Sequence, residues 1–256
     1  MYDLDTRKRA LALVGQGRSP NSVSQETGVS RAAIRSWQSR LEPLGRGTPC
    51  LRCEASPRLP EDLAAYSYLL GLYLGDGCIS SSRRGVDVLR IACADDWPGL
   101  IDACAEAMRI IRPDNKVFHV QSQGCQYVTV ASKHWPCQFP QHGTGRKHQR
   151  EISLEPWQQE IVETRPWDFV RGLIHSDGCR ITNWTTRLVG GVQKRYEYPR
   201  YFLTNVSLDI VGLFTGALDL VGVAWKSTSR PRGGVNISVA RRASVALMDA
   251  HVGAKY

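Results

Sequence analysis

The sequence predicts an α+β protein built from two pseudosymmetric α-β-β-α-β-β halves, preceded by a small all-α helix-turn-helix unit. Three observations carry this. The segments Leu69–Gly77 (LLGLYLGDG) and Val170–Gly178 (VRGLIHSDG) repeat one design, a short apolar helix with small residues four apart that ends in Asp-Gly. The same order of alternating and helical segments follows each copy. Ahead of both, the first 40 residues read as short helices joined by tight turns.

The chain has 256 residues, enough for a sizeable domain and a small one, and a formal charge of +9. Such a basic balance calls for a polyanionic partner, nucleic acid first and an acidic membrane surface second. The start, Met1 to Arg9, lacks the apolar stretch of a signal peptide, and the longest apolar run, Ile210 to Trp225, is broken by Asp219 and glycines. A membrane span is therefore not expected, and a cytoplasmic location is. In that compartment the eight cysteines are expected as thiols, not as a disulfide framework.

At the N-terminal side, Leu4 to Gly15 is apolar-periodic and rich in Arg and Lys. Ser19-Pro20 supplies an N-cap and a first-turn proline for a helix to about Thr27; Gly28 makes the turn and Ser30 caps a third helix, Arg31 to Leu41. Ile34 and Trp37 face inward with Leu11, Val14, Val23 and Val29, while Arg31, Ala32, Arg35, Ser36 and Arg40 face outward. The spacing is that of a helix-turn-helix over residues 1–45, whose third helix enters a major groove, although any small trihelical bundle shares it. Residues 1–60 hold ten Lys/Arg against five Asp/Glu, which favours DNA.

Residues 46–61 form a linker rich in Pro, Gly and Arg. Cys50 and Cys53 give it half of a zinc-ligand pattern, and the other region where Cys and His cluster is His134, Cys137, His142 and His148. A zinc site from Cys50, Cys53, Cys137 and His142, or unpaired thiols, both satisfy this irregular spacing.

The first half, residues 62–165, continues past its motif helix with alternating segments Cys78 to Arg83 and Val86 to Ala92, a helix from Trp97 to Ile111, and a hairpin of Lys116 to Gln123 with Cys125 to Ser132. A polar loop and a short helix, Trp157 to Glu163, lead to the second half, residues 166–256. There the order recurs as Cys179 to Arg187, Tyr201 to Val206, a helix from Leu208 to Val221, Ala224 to Arg230, Val235 to Arg241 and a closing helix. Alternation of this kind buries one sheet face and leaves the other open. Arg83, Arg90, Arg187, Lys226 and Arg230 are its candidate DNA contacts.

A helix C-terminus is electrostatically poor ground for a carboxylate, so placing one there twice, at Asp76 and Asp177, is informative. Packing through Gly71/Gly75 and Gly172/Ser176 would bring both acids to one end of the helix pair, where a divalent cation would resolve their repulsion. The aspartates merely capping the following turns is the plainer alternative.

These motifs resemble the LAGLIDADG, or dodecapeptide, family of homing endonucleases, and with the element order the resemblance covers residues 62–256. It implies paired motif helices between two saddle-shaped sheets that straddle DNA, with Asp76 and Asp177 holding Mg2+ over the scissile phosphates and carbonyls of Gly75 and Ser176 adding ligands. It also implies a basic residue near the end of each half's fourth strand, where Lys133 and Arg241 stand. Arg cannot serve as a general base, so the halves would differ there. Gln126 and Gln193 are further polar candidates. Relatives of this fold include regulators that join a non-cleaving core to a helix-turn-helix and generally lack the acids, which this chain keeps. A DNA endonuclease and a DNA-binding transcriptional regulator are therefore both open. Two halves in one chain predict a monomer on double-stranded DNA, and no intein splicing block surrounds the core.

Overall fold

The computed structural model describes residues 4–39, 60–81, 85–143, 145–231 and 233–256. The chain divides into two compact units, one ending at Cys50 and the other beginning at Leu51. Arg40, Cys50, Cys53 and Arg83 lie outside the described residues, and with them most of the linker and the CxxC pair.

The N-terminal unit packs α1 (Leu4–Gly15), α2 (Pro20–Thr27) and α3 (Arg31–Ser39) around Ala10, Val23, Val29, Ile34 and Trp37. Local chemistry sets each boundary. The Ser19 hydroxyl accepts from the Ser22 amide at 3.2 Å, Gly28 turns the chain at φ 69°, and the Ser30 hydroxyl accepts from the Ala33 amide at 3.2 Å. Arg7 crosses over the Trp37 ring at 5.4 Å, while Arg31 and Arg35 are exposed on α3.

The second unit has one element order twice. The first half runs α4 (Leu63–Asp76), β1 (Gly77–Ser81), β2 (Asp87–Ala94), α5 (Pro98–Ile111), β3 (Val117–Ser122) and β4 (Cys125–Ser132). After α6 (Trp135–Gln138), a short 3-10 turn (Lys147–Gln149) and α7 (Pro156–Thr164), the second half runs α8 (Pro166–His175), β5 (Gly178–Val189), β6 (Val192–Asn205), α9 (Leu208–Leu220), β7 (Lys226–Ser229), β8 (Val235–Val239) and α10 (Arg242–His251). Each half folds one antiparallel sheet, ordered β1-β2-β4-β3 and β5-β6-β8-β7. The chain is thus an α+β protein of two like halves, each with one four-stranded antiparallel sheet.

Helix α4 is apolar on every side because it is buried from Tyr66 to Leu74, against α8 on one face and α5 on another. One face of each sheet joins the same core, through Leu89, Ile91, Val128 and Val130 in the first half and Tyr201, Leu203, Ile237 and Val239 in the second. Register places Cys78, Arg90 and Thr129 together on the opposite, open face of the first sheet. In the second sheet that face holds Phe202 beside Cys179 and Ser238, with Ser238 beside Lys226.

The main departure from the sequence expectation is β6, which begins at Val192 and not at Tyr201. Gly190 and Gly191, at φ 61° and 80°, close a two-residue turn between the paired Val189 and Val192, so β5 and β6 extend together as a ribbon. Among the described residues its outer part pairs with no third strand, since β8 meets β6 only over Tyr201–Asn205. Neither face of that part is buried, so its residues carry no alternation of apolar and polar that periodicity could detect. Among the described residues no helix is long and apolar enough to cross a membrane.

Candidate metal and DNA site

Helices α4 and α8 touch backbone to backbone. A Cβ on Gly71 would stand 2.6 Å from the Phe169 carbonyl oxygen and 2.8 Å from the Leu173 nitrogen, and one on Gly172 would fall on the Tyr68 carbonyl oxygen. One turn further, a Cβ on Gly75 would collide with the Ser176 side chain and lie 3.4 Å from the Asp177 carboxyl carbon. The small residues thus do what their four-residue spacing suggests, and the Asp177 carboxyl lies against the turn that carries Asp76.

The two acids are not equivalent. Asp76 is the last residue of α4, whereas Asp177 lies beyond α8, after Ser176 has turned the chain. Asn205, at the end of β6, donates to the Asp177 carboxylate at 2.6 Å and accepts from the Ser207 amide at 2.8 Å, which fixes its orientation. Burial raises Asp177, opposed by Lys147, by the Asn205 bond and by Lys255. Burial, reinforced by the charge of Asp177, pushes Asp76 up to about 6 against the pull of Lys255 and Lys147.

The cations at the acids are Lys147 and Lys255. Lys147, on the 3-10 turn, donates through Nζ to the Tyr73 carbonyl at 2.5 Å and the Gly75 carbonyl at 2.7 Å. Its loop is laced by Arg150, which donates to the carbonyls of Gln141, Gly143 and Gly145. Lys255, beyond α10, donates to the Ser176 carbonyl at 2.7 Å. Burial lowers both lysines, Lys147 to about 8, while Asp76 and Asp177 oppose the shift. The backbone oxygen before each aspartate is thus bonded to a lysine. Each lysine follows a left-handed glycine by two residues, Gly145 at φ 83° and Gly253 at φ 74°.

Lys133 stands directly after β4 and Arg241 two residues after β8. Gln126 pairs with Cys93 and Gln121 on the first sheet, and Gln193 pairs with Leu188 near the ribbon tip. Cys137 lies in α6 and His142 follows it. Among the described residues no three His, Cys, Asp or Glu side chains converge on one point, so a metal at the acids would complete its shell with carbonyl oxygens or water. The donors are hard oxygens, two carboxylates and two carbonyls already bonded to cations, a set that fits Mg2+ or Ca2+ and not a thiophilic ion.

Arg90 emerges on the open face of β2 and donates to the Ser80 hydroxyl at 2.6 Å. Arg187 pairs with Lys194 near the ribbon tip, Lys226 begins β7, and Arg230 enters the β7–β8 turn. Alternation places Lys194, Tyr196, Tyr198, Arg200 and Phe202 on one face of β6, a basic and aromatic row absent from the sequence expectation. Arg200 lies over the Phe202 ring at 5.7 Å.

No family model matches the chain, and no curated protein does. Solved structures do. Mesophilic variants of the homing endonuclease I-DmoI match at 15% identity and a TM-score of 0.50, covering 75% of this chain and 96% of theirs. I-DmoI in complex with DNA and Mn matches at 16% identity and a TM-score of 0.50, covering 76% of this chain and 99% of its own. A substituted I-DmoI with its target DNA and Mn matches at 15% identity and a TM-score of 0.50. The likeness is one of fold.

Proposed function

We propose that this chain is a site-specific, divalent-metal-dependent DNA endonuclease, working as a monomer on double-stranded DNA with its N-terminal three-helix unit as an accessory DNA-binding module. The observation that carries this is the pair of carboxylates, Asp76 exposed and Asp177 half-buried, brought to the same end of the glycine-packed crossing of α4 and α8. Neighbouring carboxylates repel, and a cation bound between them relieves that repulsion. Asp76, Asp177 and the carbonyl oxygens of Gly75 and Ser176 would hold the metal, Mg2+ being the expected ion. When bound, it supplies Lewis acidity at the scissile phosphate and a more acidic water.

The chain's own groups do the rest. Asn205 holds Asp177 in one orientation. Lys147 and Lys255 bring positive charge to where a phosphate would gain negative charge. Arg90, Arg187, Lys194, Arg200 and Lys226 offer cations to the backbone of a duplex lying along the open faces, and Tyr196 and Tyr198 offer aromatic edges. Arg31 and Arg35 make the same offer from α3. I-DmoI, solved with target DNA and Mn, supports this reading through the shared fold.

The test is cleavage of the chain's own genomic locus with Mg2+ or Mn2+, compared with Asp76→Asn and Asp177→Asn. Loss of nicking or cutting is expected in each variant, by more than the roughly 10–100-fold that removing a group behind a metal ligand costs. A second reading, a DNA-binding transcriptional regulator on a non-cleaving core, is favoured by the lysines, which already neutralise the acids. Tight binding with no cleavage under any divalent ion, unchanged in both variants, would establish it.

A further inference from the structure

The Gly75 and Ser176 carbonyls are the oxygens that precede the two aspartates, and each already carries an ammonium group, Lys147 Nζ at 2.7 Å and Lys255 Nζ at 2.7 Å. The two lysines come from unrelated positions, a loop between the halves and the segment after α10, yet they make the same contact on opposite sides of the pseudosymmetry. Both also act on the charge of Asp76 and of Asp177, so they stand within the field of the pair. We propose that Lys147 and Lys255 are exchangeable counter-ions, which hold the carbonyls before the two aspartates and balance the acid pair until a divalent cation binds, and then yield those two carbonyls.

This deepens the endonuclease reading and rests on it. The physical case is exclusion. A carbonyl oxygen has two lone pairs, but an ammonium and a divalent ion on the same oxygen would sit nearly in contact, and their repulsion in a half-buried site is poorly screened. Lysine suits the part. Its ammonium is a compact point charge on a flexible four-carbon stem, so it can leave one acceptor without moving its backbone. The backbone anchors are separate from the ammonium contacts. Arg150 laces the loop of Lys147, and the Tyr256 carbonyl beyond Lys255 accepts from the Leu100 amide at 3.2 Å. Freed ammonium groups would stay beside the acids, facing a bound phosphate, so one event would both seat the metal and release two cations toward the DNA.

The experiment is Ca2+ binding to the full chain without DNA. It is read by calorimetry for the parent, Lys147→Gln and Lys255→Gln, and by a crystal structure of the parent grown with Ca2+. Exchange predicts that each Gln variant binds Ca2+ about tenfold or more tightly than the parent, because the competing cation is gone. It also predicts Ca2+ on the oxygens of Asp76, Asp177, Gly75 and Ser176, with both Nζ atoms out of hydrogen-bonding range of those carbonyls. Ca2+ bound there with either ammonium still on its carbonyl overturns the exchange and leaves the endonuclease reading standing. Affinity unchanged or weakened in both Gln variants overturns it likewise. Failure of Ca2+, Mg2+ and Mn2+ to bind these oxygens at all overturns both.

Discussion

Folding displaces the chemistry of Asp76, and the displacement has a measurable consequence. Its carboxyl is pushed from 3.8 up to about 6 by burial and by the charge of Asp177. The folded chain therefore keeps a proton that the unfolded chain has released, and stability falls as pH rises between those two values. Above about pH 6 the penalty is complete, and water around the exposed carboxylate screens it to a small one. Asp76→Asn removes the charge and most of the penalty. In chelator the variant is expected to be more stable than the parent at about pH 7–8, with the gain shrinking toward pH 4. Chemical denaturation across that range measures it. A variant less stable than the parent at the alkaline end, or a gain that does not depend on pH, would show that the acids do not repel. Asp177, held by Asn205, has a partner that Asp76 lacks among the described residues, so Asp177→Asn should show a smaller gain.

The α4–α8 pair is the element on which the site depends, because its closeness sets how near the acids come. Gly172→Ala would put a methyl group on the Tyr68 carbonyl oxygen, a backbone atom that cannot swing away. The helices must separate, at an expected cost of about 3 kcal/mol and with loss of cleavage. Gly212→Ala in α9 is the control, since its Cβ would meet nothing within 4 Å, and a gain of about 0.5–1 kcal/mol is expected from helix propensity alone. Equal effects of the two substitutions in thermal unfolding would show that helix contact is not what Gly172 provides. This pair was legible in the sequence because small residues four apart on an apolar helix admit few other uses, and the sheet strands were legible wherever one face is buried. The outer part of the β5–β6 ribbon was not, because exposure on both faces removes the alternation. Lys147 and Lys255 were not either. Their places are set by loop closures around left-handed glycines, which leave no periodic trace, whereas Lys133 and Arg241 follow strands whose alternation is plain.

On the scale of the whole molecule, two separately built units share a net positive charge, and each has a core of its own. Ala10, Val23, Val29, Ile34 and Trp37 close the N-terminal unit, while a continuous core runs through both halves of the second. Removing residues 1–45 therefore takes away seven Lys/Arg and four Asp/Glu without cutting into the second core. If Arg31 and Arg35 neutralise phosphates from α3, the truncated chain binds its DNA more weakly, and the logarithm of affinity depends less steeply on salt, by roughly 0.9 for each phosphate no longer neutralised. Two such phosphates shift the slope by about two. Cutting at saturating protein should persist, because the acids, the lysines and Asn205 all belong to the second unit. Titrations of parent and truncated chain against one duplex at several salt concentrations separate the two effects. Weaker binding with an unchanged slope would assign the N-terminal unit to base recognition without phosphate neutralisation, and no change in either would remove it from the DNA interface.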